Sequence, residues 1–254
     1  MQNFPKCLYR RRPLFQYDKR KNIKTDRQSE TGVRKMHYQG VLFDLDGTLT
    51  ASGEGITKSV QYALEKMGMP ELGKDRKKLE VFVGPPLLEQ FMSYAGFSEE
   101  KAAEAVRYYR ERYNVTGIFE NRPYPGVKEL LEELKKKGMT LAVASSKPDK
   151  MVKIVLDHFQ LDTYFDVIMG SDINRPKMTK AQVILQVLEK INFLDKRDQV
   201  IMVGDRHYDV LGAKETGLSC IGVTYGYGTK EELLKAGAVK TAASIRELGK
   251  LLGL

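Results

Sequence analysis

The chain contains 254 residues, of which 42% are hydrophobic, so it is long enough for one large domain or two smaller ones. No apolar run approaches the length of a membrane span, and two cysteines, Cys7 and Cys220, are too few for a disulfide framework. These features exclude membrane-spanning and disulfide-scaffold proteins, and we expect a cytoplasmic protein with no membrane partner.

The net charge of +9 belongs to the first residues of the chain. Residues 1–35 hold 11 Lys and Arg against 3 Asp and Glu, without the periodicity of a helix or a strand. We interpret them as a disordered basic extension upstream of a true start at Met36. A basic arm for nucleic acid and a transit peptide are the alternatives, although Asp18, Asp26 and Glu30 disfavour the transit peptide. A nucleic-acid partner is not expected.

The first predicted strand runs directly into two carboxylates. The apolar residues 41–43 indicate a buried strand of a parallel sheet, and Asp44 and Asp46 follow it one residue apart. Burying two like charges so close together is costly unless a cation or a proton relieves them, so the pair predicts a metal site, a catalytic role or both. A calcium loop would require Gly and Glu where this chain has Leu49 and Gly55.

Residues 54–118 show helical spacing and no strand pattern. Predicted helices cover residues 56–67, 86–94 and 99–113, the last with Ser98 as its N-cap. The stiff sequence Gly84-Pro85-Pro86 precedes the second of these helices. We interpret this region as a helical insertion.

From Pro123 onward the pattern alternates between strands and helices. Strands are predicted at residues 140–144, 167–169, 199–203 and 219–223, and helices at residues 127–137, 149–159, 180–190, 210–216, 230–234 and 244–252. Such units predict an α/β fold: a Rossmann-like, doubly wound parallel sheet, here with an all-helical insertion. We expect an α/β core at residues 36–53 and 119–254, and a separate helical domain at 54–118.

Polar groups follow the predicted strands at four places. They are Asp44 and Asp46, Ser145 and Ser146, Lys180 after the loop of the next strand, and Asp205 with Asp209. Hard carboxylate oxygens suit Mg²⁺, which shares phosphate oxygens, while a hydroxyl and an ammonium can neutralise the remaining phosphoryl oxygens. The set therefore predicts a joint site for Mg²⁺ and a phosphate.

From Met36 to its end the sequence resembles the haloacid dehalogenase superfamily, and within it the phosphatases that carry a helical cap. The first motif is Asp44-Leu45-Asp46-Gly47-Thr48-Leu49, the second contains Ser145, and the fourth is Gly204-Asp205-Arg206-His207-Tyr208-Asp209. Residues 124–127 and 223–228 are similar to the branch that contains phosphoglycolate phosphatases and 5′-nucleotidase-like proteins.

The third motif departs from one part of that branch. Phosphoglycolate phosphatases usually have Lys-Pro-x-Pro there, whereas this chain has no such sequence in residues 174–181. Lys180, at the start of a predicted helix, resembles the lysine of the 5′-nucleotidase-like proteins, and Lys177 is the alternative. The departure argues against phosphoglycolate as the substrate.

The resemblance implies a role for each motif residue. Asp44 would attack phosphorus and form an aspartyl-phosphate, and Asp46 would protonate the leaving oxygen and later deprotonate water. Mg²⁺ would be held by Asp44, the Asp46 backbone carbonyl and Asp205, while Asp209 would support this shell or pair with Lys180. The groups implied to bind phosphoryl oxygens are Ser145, Lys180 and backbone amides around Leu45, Gly47 and Ser146.

These roles predict a Mg²⁺-dependent phosphomonoester hydrolase acting on a small cytosolic metabolite, with a 5′-nucleotide-like or phosphoglycolate-like substrate. The family resemblance implies that the helical domain at 54–118 is a cap, which would close over the crevice and select the leaving group. A phosphosugar mutase resembling β-phosphoglucomutase is the alternative, since it uses the same carboxylate pair. A binding protein without catalytic activity is a second alternative. We expect a monomer or a homodimer. His207 is a candidate for contacting the substrate, but a histidine in the turn after a strand is more often a structural hydrogen-bonding residue, and we interpret it so.

Overall fold

The computed structural model describes residues 38–172 and 178–254. Six strands in these residues form one sheet: Gly40–Phe43 (β1), Thr140–Pro148 (β2), Val167–Ser171 (β3), Val200–Gly204 (β4), Ser219–Val223 (β5) and Lys240–Ala242 (β6). Neighbouring strands are parallel, in the order β3-β2-β1-β4-β5-β6. The predicted α/β fold with a Rossmann-like sheet is confirmed. The strand order reverses between β1 and β4, and such a reversal opens a ligand crevice at the carboxyl ends of the strands.

Helices cover both faces of this sheet. In the described part of the chain the α-helices are Gly53–Lys66 (α1), Leu87–Ala95 (α2), Glu99–Arg112 (α3), Val127–Lys136 (α4), Asp149–His158 (α5), Lys180–Lys190 (α6), His207–Glu215 (α7), Lys230–Ala236 (α8) and Ile245–Leu251 (α9). Ser98 caps α3 as predicted, by accepting the N–H of Lys101. Thr179 and Gln182 form a capping box that fixes the start of α6. None of these helices is long and apolar enough to cross a membrane.

The central strand β1 divides the core in two. Val41 and Phe43 pack into one buried apolar cluster, and Leu42 packs into a second cluster with Val183 and Met202. Successive side chains of a strand point to opposite faces, so both faces of β1 are covered. This explains why its sequence is continuously apolar and carries no alternating pattern.

Residues 54–118 contain helices and turns and no strand, as predicted. Besides α1, α2 and α3, two 3₁₀ helices cover Pro70–Gly73 and Lys78–Phe82, and α3 continues into a π-helical turn at Tyr113–Gly117. Residues 38–172 and 178–254 belong to one compact unit, so the separation of a cap from a core stays a prediction. We call residues 54–118 the helical segment.

The largest differences from the sequence prediction concern three elements, whereas most other boundaries shift by one to three residues. The edge strand β6 was not predicted, because Lys240-Thr241-Ala242 offers no apolar run. The helix α7 starts at His207, three residues before the predicted start. The apolar pattern did not reveal this start because the first turn of the helix is polar. The strand β2 continues irregularly to Pro148, with a register shift after Ala144. The basic extension at 1–35 and Lys177 lie outside the described residues.

Candidate active site

The carboxyl ends of β1 and β4 place two aspartates in a buried crevice. Asp44 follows β1, and its N–H donates to the carbonyl of Val203 in β4 at 2.9 Å. Asp205 follows the last residue of β4, and both aspartate side chains are buried. Because the strand order reverses between β1 and β4, these carboxylates lie where α/β sheets bind ligands.

The helix α6 brings Lys180 into the same crevice. The Lys180 ammonium donates to Asp44 Oδ1 at 2.7 Å and to the Ala144 carbonyl at 2.9 Å. It also lies 2.7 Å from Asp209 Oδ1. The ammonium therefore contacts three oxygens, two through hydrogen bonds and that of Asp209 through an ion pair. Of the two roles considered for Asp209, the structure has the ion pair with Lys180.

Burial and neighbouring charges oppose each other in setting the pKa values of this cluster. Burial raises the pKa of Asp44 to about 6, although the Lys180 ammonium opposes the rise. Burial alone would lower the pKa of Lys180, but the carboxylates of Asp209 and Asp44 outweigh it and leave that pKa raised. Lys180 is therefore a fixed positive charge beside Asp44.

Asp205 has one carboxylate oxygen without a hydrogen-bond partner in the described part of the chain. Its Oδ2 accepts the N–H of Tyr227 at 2.8 Å, whereas its buried Oδ1 has no hydrogen-bond partner among the described residues. Burial raises the pKa of Asp205 well above its ordinary range, and the charges of Asp209 and Asp44 add to the rise. A neutralising cation would relieve this cost.

Three buried carboxylates could hold that cation. Oxygens of Asp44, Asp205 and Asp209 all lie within 4.8 Å of one another. Their hard oxygen donors fit Mg²⁺. Gly47 permits the close approach, because its φ is +84° and a Cβ there would collide with the Asp205 carboxylate. The donor set therefore fits the predicted metal.

Asp46 has a partner that the sequence analysis did not identify. The Lys147 ammonium donates to Asp46 Oδ1 at 3.1 Å and to Asp46 Oδ2 at 2.8 Å. It also donates to the Tyr113 hydroxyl at 2.5 Å. Lys147 follows Ser145 by two residues in the second motif, so its proximity to the first motif could have been inferred from the sheet order. Nothing in the sequence placed Tyr113 there.

The predicted phosphoryl-binding groups lie at different depths. Ser145 is buried and its hydroxyl accepts the N–H of Lys147 at 3.3 Å, whereas Ser146 is half-buried. The Leu45 side chain is fully buried in the core, so only its backbone could meet a substrate. The Gly47 N–H already donates to the Thr50 carbonyl at 2.8 Å.

The fourth motif also contacts the helical segment. Arg206 donates to the carbonyl of Val83 at 2.9 Å and pairs with Glu232 at 3.2 Å. The Nδ1 atom of His207 lies 2.6 Å from the same carboxylate, which also accepts the His207 N–H. His207 is therefore a structural hydrogen-bonding residue, as we interpreted it from the sequence.

A buried lysine and three converging aspartates lie where a Rossmann-like sheet reverses its strand order, and their charges could hold an anionic group and a cation together. The chain belongs to the haloacid dehalogenase-like hydrolase family, whose model matches residues 41–223. It is a phosphatase of that family, as the relatives and solved structures show.

Three curated relatives carry different names. A 5′-nucleotidase from Pseudomonas aeruginosa is 46% identical over 198 residues, which are 78% of this chain and 88% of that protein. The tyrosine-protein kinase PtkA from Mycobacterium tuberculosis is 36% identical over 85% of this chain and 73% of its own length. A phosphoglycolate phosphatase from Vibrio parahaemolyticus is 29% identical over 82% of this chain and 93% of its own length.

A solved structure agrees with the fold. The crystal structure of a predicted phosphatase from Clostridium acetobutylicum is 49% identical to this chain, with a TM-score of 0.79. It covers 84% of this chain and 97% of its own. The resemblance drawn from the motifs is confirmed.

Proposed function

We propose that the chain is a Mg²⁺-dependent phosphomonoester hydrolase that acts through an aspartyl-phosphate on a small cytoplasmic metabolite. The observation that carries this proposal is the setting of Asp44. One of its oxygens is held at 2.7 Å by the Lys180 ammonium, and Asp205 beside it keeps a buried oxygen that has no hydrogen-bond partner within residues 38–172 and 178–254. A nucleophilic carboxylate between a fixed cation and a metal position is suited to attack an anionic phosphoryl group.

The chain's own residues would divide the reaction as follows. Asp44 attacks phosphorus while Asp46 gives a proton to the leaving oxygen, and Asp46 then takes a proton from the attacking water. Lys180, Ser145 and backbone amides near Leu45 and Ser146 hold the phosphoryl oxygens.

The metal has a defined set of ligands in this proposal. Asp44, the Asp46 backbone carbonyl and Asp205 would hold Mg²⁺, which when bound neutralises phosphoryl charge. Asp209 would hold the Lys180 ammonium in place, because the two groups form an ion pair at 2.7 Å. Its carboxylate lies close to those of Asp44 and Asp205, so Asp209 would also support the metal shell.

We propose a 5′-nucleotide-like substrate ahead of a phosphoglycolate-like one. The 46% identity to a 5′-nucleotidase supports this order. So does the third motif, which lacks Lys-Pro-x-Pro and places Lys180 at the first residue of α6. In this proposal residues 54–118 form the cap that selects the leaving group.

The test is Mg²⁺-dependent phosphate release by the full chain. The panel contains 5′-nucleotides, 2-phosphoglycolate, pyrophosphate and sugar phosphates, and Asp44→Asn serves as the inactive control. Release concentrated on nucleotides supports the proposal, and release concentrated on phosphoglycolate reverses the substrate order. If the folded chain releases no phosphate but isomerises a phosphosugar in the presence of a bisphosphate, it is the mutase considered above.

A further inference from the structure

Lys147 is the buried charged group of the site to which neither the motifs nor the proposed mechanism gives a role. Its side chain is 7% exposed and that of Asp46 is 9% exposed, so the pair lies inside the crevice and away from bulk water. A buried pair of this kind contributes little net stability compared with well-packed apolar residues. A role beyond stability therefore has to be sought in what the ammonium contacts.

The contacts of Lys147 fix the Asp46 carboxylate in one orientation. Its ammonium reaches both oxygens of Asp46, at 3.1 and 2.8 Å, and the Tyr113 hydroxyl at 2.5 Å. These three acceptors use all three N–H donors. A carboxylate held at both oxygens cannot rotate freely about its last side-chain bond, which restricts the direction in which Asp46 can exchange a proton.

Tyr113 holds Lys147 from the side of the helical segment. Its ring stacks on Tyr109 with centroids 5.1 Å apart, and the Lys147 ammonium lies 4.8 Å from the ring centre. Burial and the charge of Asp46 raise the pKa of Tyr113 well above its ordinary range, so its hydroxyl stays neutral and can accept from the ammonium. The orientation of Asp46 thus depends on Tyr113, the residue that directly follows α3.

We propose that Lys147, held by Tyr113, is a positioning residue that directs the Asp46 carboxyl group toward the leaving-group oxygen. This inference rests on the proposed function, in which Asp46 protonates that oxygen. Leaving groups that are poor, such as alkoxides and unsubstituted phenoxide, require this proton in the transition state, whereas strongly activated aryl leaving groups do not. Lys147 therefore matters most for ordinary metabolite esters.

The experiment compares kcat/KM for aryl phosphates of increasing leaving-group acidity, from phenyl phosphate to 2,4-dinitrophenyl phosphate. The variants are Lys147→Met, Lys147→Arg and Tyr113→Phe in the full chain. Lys58→Met is the matched control, because Lys58 also pairs with two carboxylate oxygens, those of Glu54 and Glu120. We use kcat/KM because it reports the steps up to transfer of the phosphoryl group to Asp44.

Lys147→Met is expected to lower kcat/KM by about tenfold or more for phenyl phosphate and by about twofold or less for 2,4-dinitrophenyl phosphate. Tyr113→Phe should steepen the dependence of kcat/KM on the leaving group less than Lys147→Met does. Lys147→Arg should recover part of the kcat/KM lost for phenyl phosphate, and Lys58→Met should leave the dependence unchanged. In the Asp46→Asn background, Lys147→Met should add nothing to the dependence.

Two results would overturn the inference while leaving the hydrolase intact. One is an equal loss for all leaving groups in Lys147→Met, and the other is a further steepening in the Asp46→Asn background. If Lys147→Met does not fold, Tyr113→Phe and Lys147→Arg decide by the same slopes. An unaltered chain that hydrolyses no phosphate ester would instead contradict the proposed function itself.

Discussion

The carboxyl ends of the strands and the helical segment contribute to the site in different ways. The strand ends and the helix α6 supply charged side chains that contact one another directly, as Lys180 contacts Asp44 and Asp209. The helical segment supplies single contacts: the Tyr113 hydroxyl to Lys147 and the Val83 carbonyl to Arg206. The difference agrees with the proposed function, in which the strand ends carry out the reaction and the helical segment selects the substrate.

The largest expected effect comes from replacing the proposed nucleophile, Asp44, at the carboxyl end of β1. Asp44→Asn should lower phosphate release by about 10⁴-fold or more, because an amide is a poor nucleophile toward phosphorus. The near-isosteric side chain should keep the fold, which a thermal melt can establish. Release at the rate of the unaltered chain would remove Asp44 as the nucleophile.

The second effect concerns the ion pairs of Lys180. Lys180→Met should lower the free energy of unfolding by about 3–5 kcal/mol, because two buried carboxylates lose their cation. Denaturant titration without added Mg²⁺ measures this loss. Lys135→Met is the control, since its pair with Asp166 is largely exposed and should cost about 1 kcal/mol or less. Equal losses in both variants would show that burial gives the Lys180 pairs no special weight.

The third effect concerns the metal. Asp205→Asn should raise the Mg²⁺ concentration needed for half-maximal activity by about tenfold or more, because it removes a charged ligand. A chelator should abolish the activity of the unaltered chain, and added Mg²⁺ should restore it. Full activity in the chelator would contradict the metal-dependent mechanism.

The smallest effect probes the helical segment. Gly84 has a φ of +103°, and a Cβ there would meet Arg206 at an ordinary distance, so Gly84→Ala costs about 1 kcal/mol of backbone strain without a clash. We expect relative kcat/KM values among substrates to change by about threefold, roughly the effect of a fraction of 1 kcal/mol.

Gly96→Ala is the control for this prediction. Gly96 also has a positive φ, +67°, with open space around it, but it lies at the end of α2. If both alanine variants change selectivity equally, strain in the segment is responsible and the loop at Gly84 has no particular role.

The sequence predicted which residues follow the strand ends better than it predicted how these residues contact one another. Asp44, Asp46, Asp205 and Lys180 were found because each follows a strand whose end the apolar pattern marks. Lys147 was missed because its partner Asp46 is 101 residues away, and only the order of the strands, which no local pattern gives, brings the two motifs together.

Tyr113 was missed for a related reason. It was predicted only to be the last residue of a helix. In the structure it is buried, and its hydroxyl reaches the Lys147 ammonium. Helical spacing identifies which residues are buried and does not identify which buried hydroxyl meets a charge.

The two chain connections of the helical segment run beside each other. The N–H of Ala51 donates to the Arg122 carbonyl at 2.7 Å, and the N–H of Gly55 donates to the Glu120 carbonyl at 3.0 Å. The chain therefore leaves the sheet and returns to it at almost one point. In evolutionary terms, such an insertion can be exchanged for another of different length without disturbing the strands that carry Asp44 and Asp205. One ancestral reaction can in this way acquire many substrates.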